Sequence, residues 1–143
     1  VKVLVVGDTH SDEEFAIDVC RYAKLNDINT IVQVGDFGFK FRMSFISVWR
    51  QWLENGEDRH LYWLDGNHDD HDYIAKFMEG EDPNSPVAHW HPRFLYCPRG
   101  SVTVIGDTRC MFLGGAYSID RSRRKLGKTW WANECTGDVD VAR

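Results

Sequence analysis

Cysteine is scarce and unpatterned in this chain of 143 residues: Cys20, Cys97, Cys110 and Cys135 show no Cys-x-x-Cys spacing. They read as reduced packing residues in a cytoplasmic protein rather than as a disulfide framework. An excess of basic residues is also missing. The formal net charge of -5 argues against general coating of nucleic acid, leaving nucleic acid a place only as a nucleotide or phosphodiester substrate. Long apolar runs are lacking too. No stretch approaches membrane-spanning length, and the opening apolar run is too short for a signal-peptide core and leads straight into a Gly-Asp turn, so no membrane partner is expected. Internal repeats and low-complexity tracts are likewise absent. Prolines are few, and three of the four, Pro83, Pro86 and Pro92, fall in one segment. The length suits one domain, residues 1–143, able to bury roughly two thirds of its unfolded surface.

What is present is an alternation of short apolar runs and amphipathic stretches. Val1 to Val6, Thr30 to Val34 and His60 to Leu64 read as short buried strands. Ser11 and Glu14 form a capping-box pattern ahead of Phe15, Val19, Tyr22 and Ala23 at helical spacing. A second apolar stripe runs through Phe45, Val48, Trp49, Trp52 and Leu53 and ends at Gly56. Asp70 is a candidate N-cap for a shorter helix carrying Ile74, Phe77 and Met78 and ending at Gly80. This β-α-β-α-β-α order predicts parallel strands joined by right-handed crossovers. Glu81 to Arg93 reads as a long loop. Strands return at Phe94 to Cys97, Ser101 to Ile105 and Arg109 to Leu113, the last two joined by a Gly106-Asp107 hairpin turn. The predicted class is therefore α/β with a mixed sheet. Beyond Gly114-Gly115 lie a basic loop, Trp130-Trp131 and an acidic tail with no further element predicted.

Three strings follow the first three strands: Gly7-Asp8-Thr9-His10, Gly35-Asp36-Phe37-Gly38 and Gly66-Asn67-His68-Asp69. Strand ends are where open α/β sheets keep their active sites. Asp8 and His10, one residue apart in an extended turn, offer a carboxylate and an imidazole to one ion. Taken singly, each string is ordinary turn punctuation. Asp36 changes the balance, because a carboxylate on a neighbouring strand end can bridge two ions roughly 3.5 to 4 Å apart, the arrangement used for in-line attack on phosphorus. Asn67 offers a neutral carbonyl oxygen. His68 suits a hydrogen bond to a phosphate oxygen or protonation of a departing alkoxide, with Asp69 fixing its tautomer. Gly7, Gly35 and Gly66 are expected to supply the unusual dihedrals of a crowded turn.

These residues resemble the calcineurin-like metallophosphoesterases, whose pattern runs Asp-x-His, Gly-Asp, Gly-Asn-His-Asp/Glu, then a His, then Gly-His-x-His. The first three blocks match in order and spacing over Val1 to about Asp72. The resemblance implies an α-β-β-α sandwich of which this chain is the N-terminal part. It implies two divalent metal ions, Asp8, His10 and Asp36 holding the first, Asp36 and Asn67 the second, with His68 and Asp69 serving the leaving group. A binuclear metal-dependent phosphoesterase follows, using a metal-bridging hydroxide and no covalent enzyme intermediate. Residues Phe112 to Asp120 also look like a segment of small bacterial and phage members.

Two departures shape the expectation. The protein Ser/Thr phosphatases carry Asp-Arg-Gly after the second block, where this chain has Phe39-Lys40-Phe41. That favours a small phosphodiester, cyclic nucleotides included, as substrate. The later histidine blocks are unmatched, since His89-Trp90-His91 lacks the preceding glycine and comes too early, so four ligands would serve two ions. This suggests a portion of a longer polypeptide. The ligand types suit Mn, Fe or Zn. The rival is a binding or scaffold module that keeps the fold without catalysis. Of the remaining features, His60, His71, His89 and His91, the Arg121 to Lys125 run with Lys128, and Gly106-Asp107-Thr108 are assigned structural or solvated roles, and the tryptophans packing roles.

Overall fold

The computed structural model of the chain describes residues 1–38 and 42–142, with the side chain of Val139 excepted. The Phe39-Lys40-Phe41 departure lies outside the described residues. Strand β1 (Val3–Val6), helix α1 (Glu13–Leu25), β2 (Thr30–Val34), α2 (Met43–Glu54), β3 (His60–Leu64) and α3 (His71–Phe77) follow in the expected alternation. β4 (Val87–His89), β5 (His91–Tyr96), β6 (Val102–Ile105) and β7 (Thr108–Met111) come next, with a 3-10 turn at Arg121–Arg123 and a short α4 (Asp138–Val141) near the end.

Five strands form one sheet in the order β1-β2-β3-β5-β4. The first four positions are parallel, from Val3 opposite Thr30 through Thr30 opposite His60 to Leu61 opposite Phe94, and β4 closes the edge antiparallel to β5. A mixed sheet in an α/β fold is thus what the sequence predicted. Because β1, β2 and β3 are neighbours and point the same way, the loops that follow them leave the sheet at one edge.

Alternation along the strands separates two cores. On one face Val6, Ile31, Leu61, Trp63, Phe94 and Tyr96 meet Ala16, Val19 and Ala23 of α1, Phe45, Trp49 and Leu53 of α2 and Ile74 of α3. On the other, Val32, Leu64 and Cys97 pack with Ile105 and Phe112 around the β6-β7 hairpin. Trp49 and Trp63 are fully buried, and replacing such a ring with alanine costs about 3–5 kcal/mol. The hairpin turns at Gly106-Asp107 as expected, with Ile105 opposite Thr108 and Gly106 at φ +66°. Among the described residues no helix is long and apolar enough to cross a membrane.

Three expectations need correction. Helix α1 is capped by Asp12, whose side chain accepts a hydrogen bond from the Phe15 N–H at 3.0 Å. Ser11 makes no capping box; its hydroxyl donates to the Gly38 carbonyl instead. Glu81 to Arg93 holds β4 and the start of β5, reversing at Trp90 with φ +61°. Three residues are too few to show a period, and Pro92 is tolerated because the rungs to β3 begin only at Phe94. The acidic tail contains α4, a single turn without apolar periodicity.

Candidate metal centre

The loops after β1 and β2 run side by side through backbone hydrogen bonds: Asp8 N–H to Gly35 O at 3.2 Å, His10 N–H to Asp36 O at 2.8 Å and Ser11 N–H to Phe37 O at 3.2 Å. This pairing bends the chain into a rarely used conformation. Asp8, His10, Ser11 and Asp36 have φ of 48°, 44°, 58° and 52°, all left-handed without being glycine. Backbone strain of this kind persists only where the surroundings over-determine it, and it concentrates at functional sites. The unusual dihedrals expected at the flanking glycines therefore fall in part on the functional residues themselves. Gly35 does have φ +109°, but Gly7 does not lie in that region and would give a Cβ ordinary contact at 3.8 Å. Gly66 is needed for closeness instead, since a Cβ there would collide with the Asp36 carboxylate and amide.

One ligand atom from each of Asp8, His10 and Asp36 lies within 4.8 Å of the others. His10 Nε2 stands 3.6 Å from Asp36 Oδ2. Two carboxylates converging beside one imidazole repel each other unless a cation lies between them, and the mixed O and N donor set suits a divalent transition metal. The third string joins through Asp36, whose Oδ1 accepts the His68 N–H at 2.8 Å. The His10 and His68 rings meet edge to face with centroids 5.2 Å apart. Asn67 is oriented by residues far along the chain. Its Nδ2 donates to Ser118 Oγ at 2.9 Å, and Ser118 gives its N–H and O–H to the two oxygens of buried Glu134 at 2.8 and 2.6 Å. Tying Nδ2 in this way turns the Asn67 carbonyl oxygen away from Ser118.

Asp69 does something other than orient His68. Its carboxylate is fully buried and accepts the N–H groups of Phe37 at 3.2 Å, Gly38 at 2.8 Å and Gly66 at 2.8 Å. The expectation that it fixes the His68 tautomer fails because both oxygens are already occupied by backbone donors. Burial pushes its carboxyl up to about 6, the three amides opposing that rise and the nearby Asp36 charge adding to it. The group touching the His68 ring is a guanidinium: Arg124 Nη2 lies 2.8 Å from His68 Nε2.

A second polar cluster, unrecognised in the sequence, stands behind the centre. Asp65 directly follows β3 with its carboxylate buried, accepting Tyr96 O–H at 2.8 Å and Arg99 Nε and Nη2 at 2.9 and 2.6 Å. Arg99 also donates to the carbonyls of Asn133, Glu134 and Cys135, so one guanidinium fastens the segment that carries Glu134. His71 is 4 % exposed and Trp131 3 %, their ring centroids 5.9 Å apart. The only sequence signal was a carboxylate directly before Gly66. His89 and His91 face each other across the β4-β5 reversal, with His89 against Phe77 and Trp90, and not in a solvated loop. The basic run is exposed except at Arg124.

Comparisons with curated proteins and with solved structures returned no match. A family model described as calcineurin-like phosphoesterase matches residues 1–142. With that match spanning the chain and an Asp-His-Asp group fit for a divalent ion at its strand ends, this protein belongs to the calcineurin-like phosphoesterase family.

Proposed function

We propose that this member of the family is a phosphodiesterase acting on a small phosphodiester, cyclic nucleotides among the candidates, in the cytoplasm. Two divalent ions, Mn, Fe or Zn, are assigned to Asp8, His10, Asp36 and Asn67. When bound, such ions supply Lewis-acid polarisation of the phosphoryl oxygens and a water acidic enough to serve as nucleophile near neutral pH. The chain's own residues do the rest. Asp36 accepts the His68 amide on Oδ1, so its carboxylate would face the ions in one orientation. Asn67 is turned by Ser118 to present its oxygen. In the hydrolysis a water oxygen bonds to phosphorus and releases its proton to solvent, the ester P–O bond breaks, and the departing alkoxide takes up a proton, for which we assign His68. Asp69 ties the second loop to the third. The observation that carries this reading is the convergence of Asp8, His10 and Asp36 on a left-handed backbone.

The test is hydrolysis of bis(p-nitrophenyl) phosphate and of p-nitrophenyl phosphate by metal-depleted protein resupplied with Mn²⁺. Faster turnover of the diester, lost in Asp36→Asn together with retained Mn²⁺, supports the reading. Equal rates in the variant would overturn the assigned site, and no turnover by Mn²⁺-loaded wild type would overturn the reading in favour of a non-catalytic module.

A further inference from the structure

We propose that Arg124 binds the substrate's phosphoryl group, supplying the charge that the metal-ligand residues do not. The inference rests on the phosphoesterase reading above. Arg121, Ser122, Arg123, Lys125 and Lys128 are all exposed, whereas the Arg124 side chain is 11 % exposed. A largely covered guanidinium stands out inside a solvated basic run, and the cost of covering it is offset by its ion pair with Asp120, which fixes where the charge sits.

Its position is defined by three contacts. Nε donates to Asp120 Oδ1 at 2.8 Å, Nη1 to Thr129 O at 3.3 Å and Nη2 to His68 Nε2 at 2.8 Å. Those account for three of the five N–H bonds a guanidinium carries. Among the described residues one hydrogen on Nη1 and one on Nη2 are left over, and these two nitrogens form the fork that matches a pair of phosphate oxygens. The His68 ring in turn lies against the His10 ring, and the His68 amide holds Asp36. Arg124 is thus one imidazole away from the metal-ligand cluster. Among the described residues it is the only cationic side chain of Arg or Lys hydrogen-bonded to any of Asp8, His10, Asp36, Asn67, His68 or Asp69.

The surroundings also explain why the arginine faces inward. Asp120, half exposed, holds Nε from outside and directs the Nη fork to the centre, while Thr129 O limits its swing. A phosphate held by ions on one side would meet the fork on the other. A lysine could not reproduce this, having one point charge and no fork.

The experiment is calorimetric titration of Mn²⁺-loaded protein with inorganic phosphate, with Mn²⁺ affinity measured in parallel on the same variants. Arg124→Ala is expected to weaken phosphate binding about 10- to 100-fold, the range for a lost charge-assisted pair, with Mn²⁺ affinity unchanged. Arg124→Lys should recover part of it, added guanidinium ion should partly rescue Arg124→Ala, and Arg123→Ala should bind phosphate as wild type does. Phosphate affinity in Arg124→Ala equal to wild type would overturn the proposal and leave the residue a latch for its loop. So would a loss that Arg124→Lys matches in full and guanidinium does not relieve, or no phosphate binding by wild type in any metal state. Failure of wild type to bind Mn²⁺, with phosphate still held through Arg124 in the metal-free protein, would instead remove the metal-dependent reading and keep the anion site.

Discussion

Asp69 accepts the backbone N–H of Gly38 at 2.8 Å across 31 positions of sequence, and the same carboxylate takes Gly66 of its own loop at 2.8 Å. One buried anion therefore sets the spacing between the second and third loops. Asp69→Ala leaves three buried amides without partners, and each unsatisfied buried donor costs roughly 1–3 kcal/mol. We expect an unfolding free energy lower by about 3 kcal/mol or more in denaturant titration, and loss of Mn²⁺ binding alongside. Asp69→Asn keeps one acceptor oxygen and turns the other into a donor facing an N–H, so it should fall between the two. Wild-type stability in Asp69→Ala would refute the clamp.

Gly66 and Gly7 make opposite predictions although both precede a site residue. A Cβ at Gly66 would overlap Asp36, whereas at Gly7 it would meet only Val34 Cγ2 at 3.8 Å. Gly66→Ala should displace Asp36, lowering stability by about 1–3 kcal/mol and abolishing Mn²⁺ retention. Gly7→Ala should leave metal binding within about twofold and raise stability by a few tenths of a kcal/mol through the unfolded chain. Calorimetry and thermal melts on the pair read both effects. Equal tolerance at the two positions would contradict the assigned contact.

Much of this was legible in the chain because period and punctuation are local. The strand and helix order follows from short apolar runs such as Thr30 to Val34 and from Phe45, Trp49 and Trp52 at helical spacing, and the Gly106-Asp107 turn from its two residues. The ligand types Asp8, His10 and Asp36 were readable for the same reason, since each string directly follows its strand. What could not be read is long-range hydrogen bonding. Asp69 is drawn from His68 by amides about thirty positions earlier, and Arg124 reaches His68 across 56 positions. Nor does a basic run disclose which member turns inward. The β4 strand escaped because its partner, not its own pattern, makes it a strand.

Ser118 and Glu134 control Asn67 without belonging to any of the three strings. Glu134 is buried, and desolvation alone would raise its carboxyl, yet the Ser118 hydrogen bonds, with a Trp130 hydrogen bond and the Arg124 charge, together hold it below the usual range. It is therefore an anion, able only to accept, which forces Ser118 to donate to it and to accept from Asn67 Nδ2. Ser118→Ala frees the amide to flip its oxygen away. Loss of a partner that orients a ligand commonly costs 10- to 100-fold in metal affinity, and we expect about tenfold weaker Mn²⁺ binding, with a lowered melting temperature because buried Glu134 Oε2 loses its Ser118 donor. Glu134→Gln should give the same direction. Unaltered Mn²⁺ affinity in both variants would show that the Asn67 amide needs no such support.

His71 should make stability depend on pH. Its ring is buried, and that desolvation lowers its pKa below 6.5, the Asp65 carboxylate opposing the shift and the Arg99 guanidinium adding to it, with Glu134 a smaller opposing charge. Nδ1 lies 3.7 Å from Asp65 Oδ2 and 3.4 Å from Arg99 Nη2, while Nε2 has no hydrogen-bond partner among the described residues. A proton added at Nδ1 would end the ring's acceptance from Arg99 and sit beside that guanidinium. The folded state therefore binds the proton less readily than the unfolded state, so the contribution of His71 is complete above pH 6.5 and declines as the pH falls below that value. The slope for one proton is at most about 1.4 kcal/mol per pH unit. His89 and His91 are depressed by burial as well and act in the same sense. The measurement is denaturant unfolding at pH 7.5 and 5.5, with Trp131 fluorescence as a local probe of the ring it faces. His71→Asn removes the titrating group, so the wild type should lose more stability between the two pH values than the variant does. An identical loss in both would mean that the ring is protonated equally well folded and unfolded, and that the Asp65-Arg99 anchor is indifferent to it.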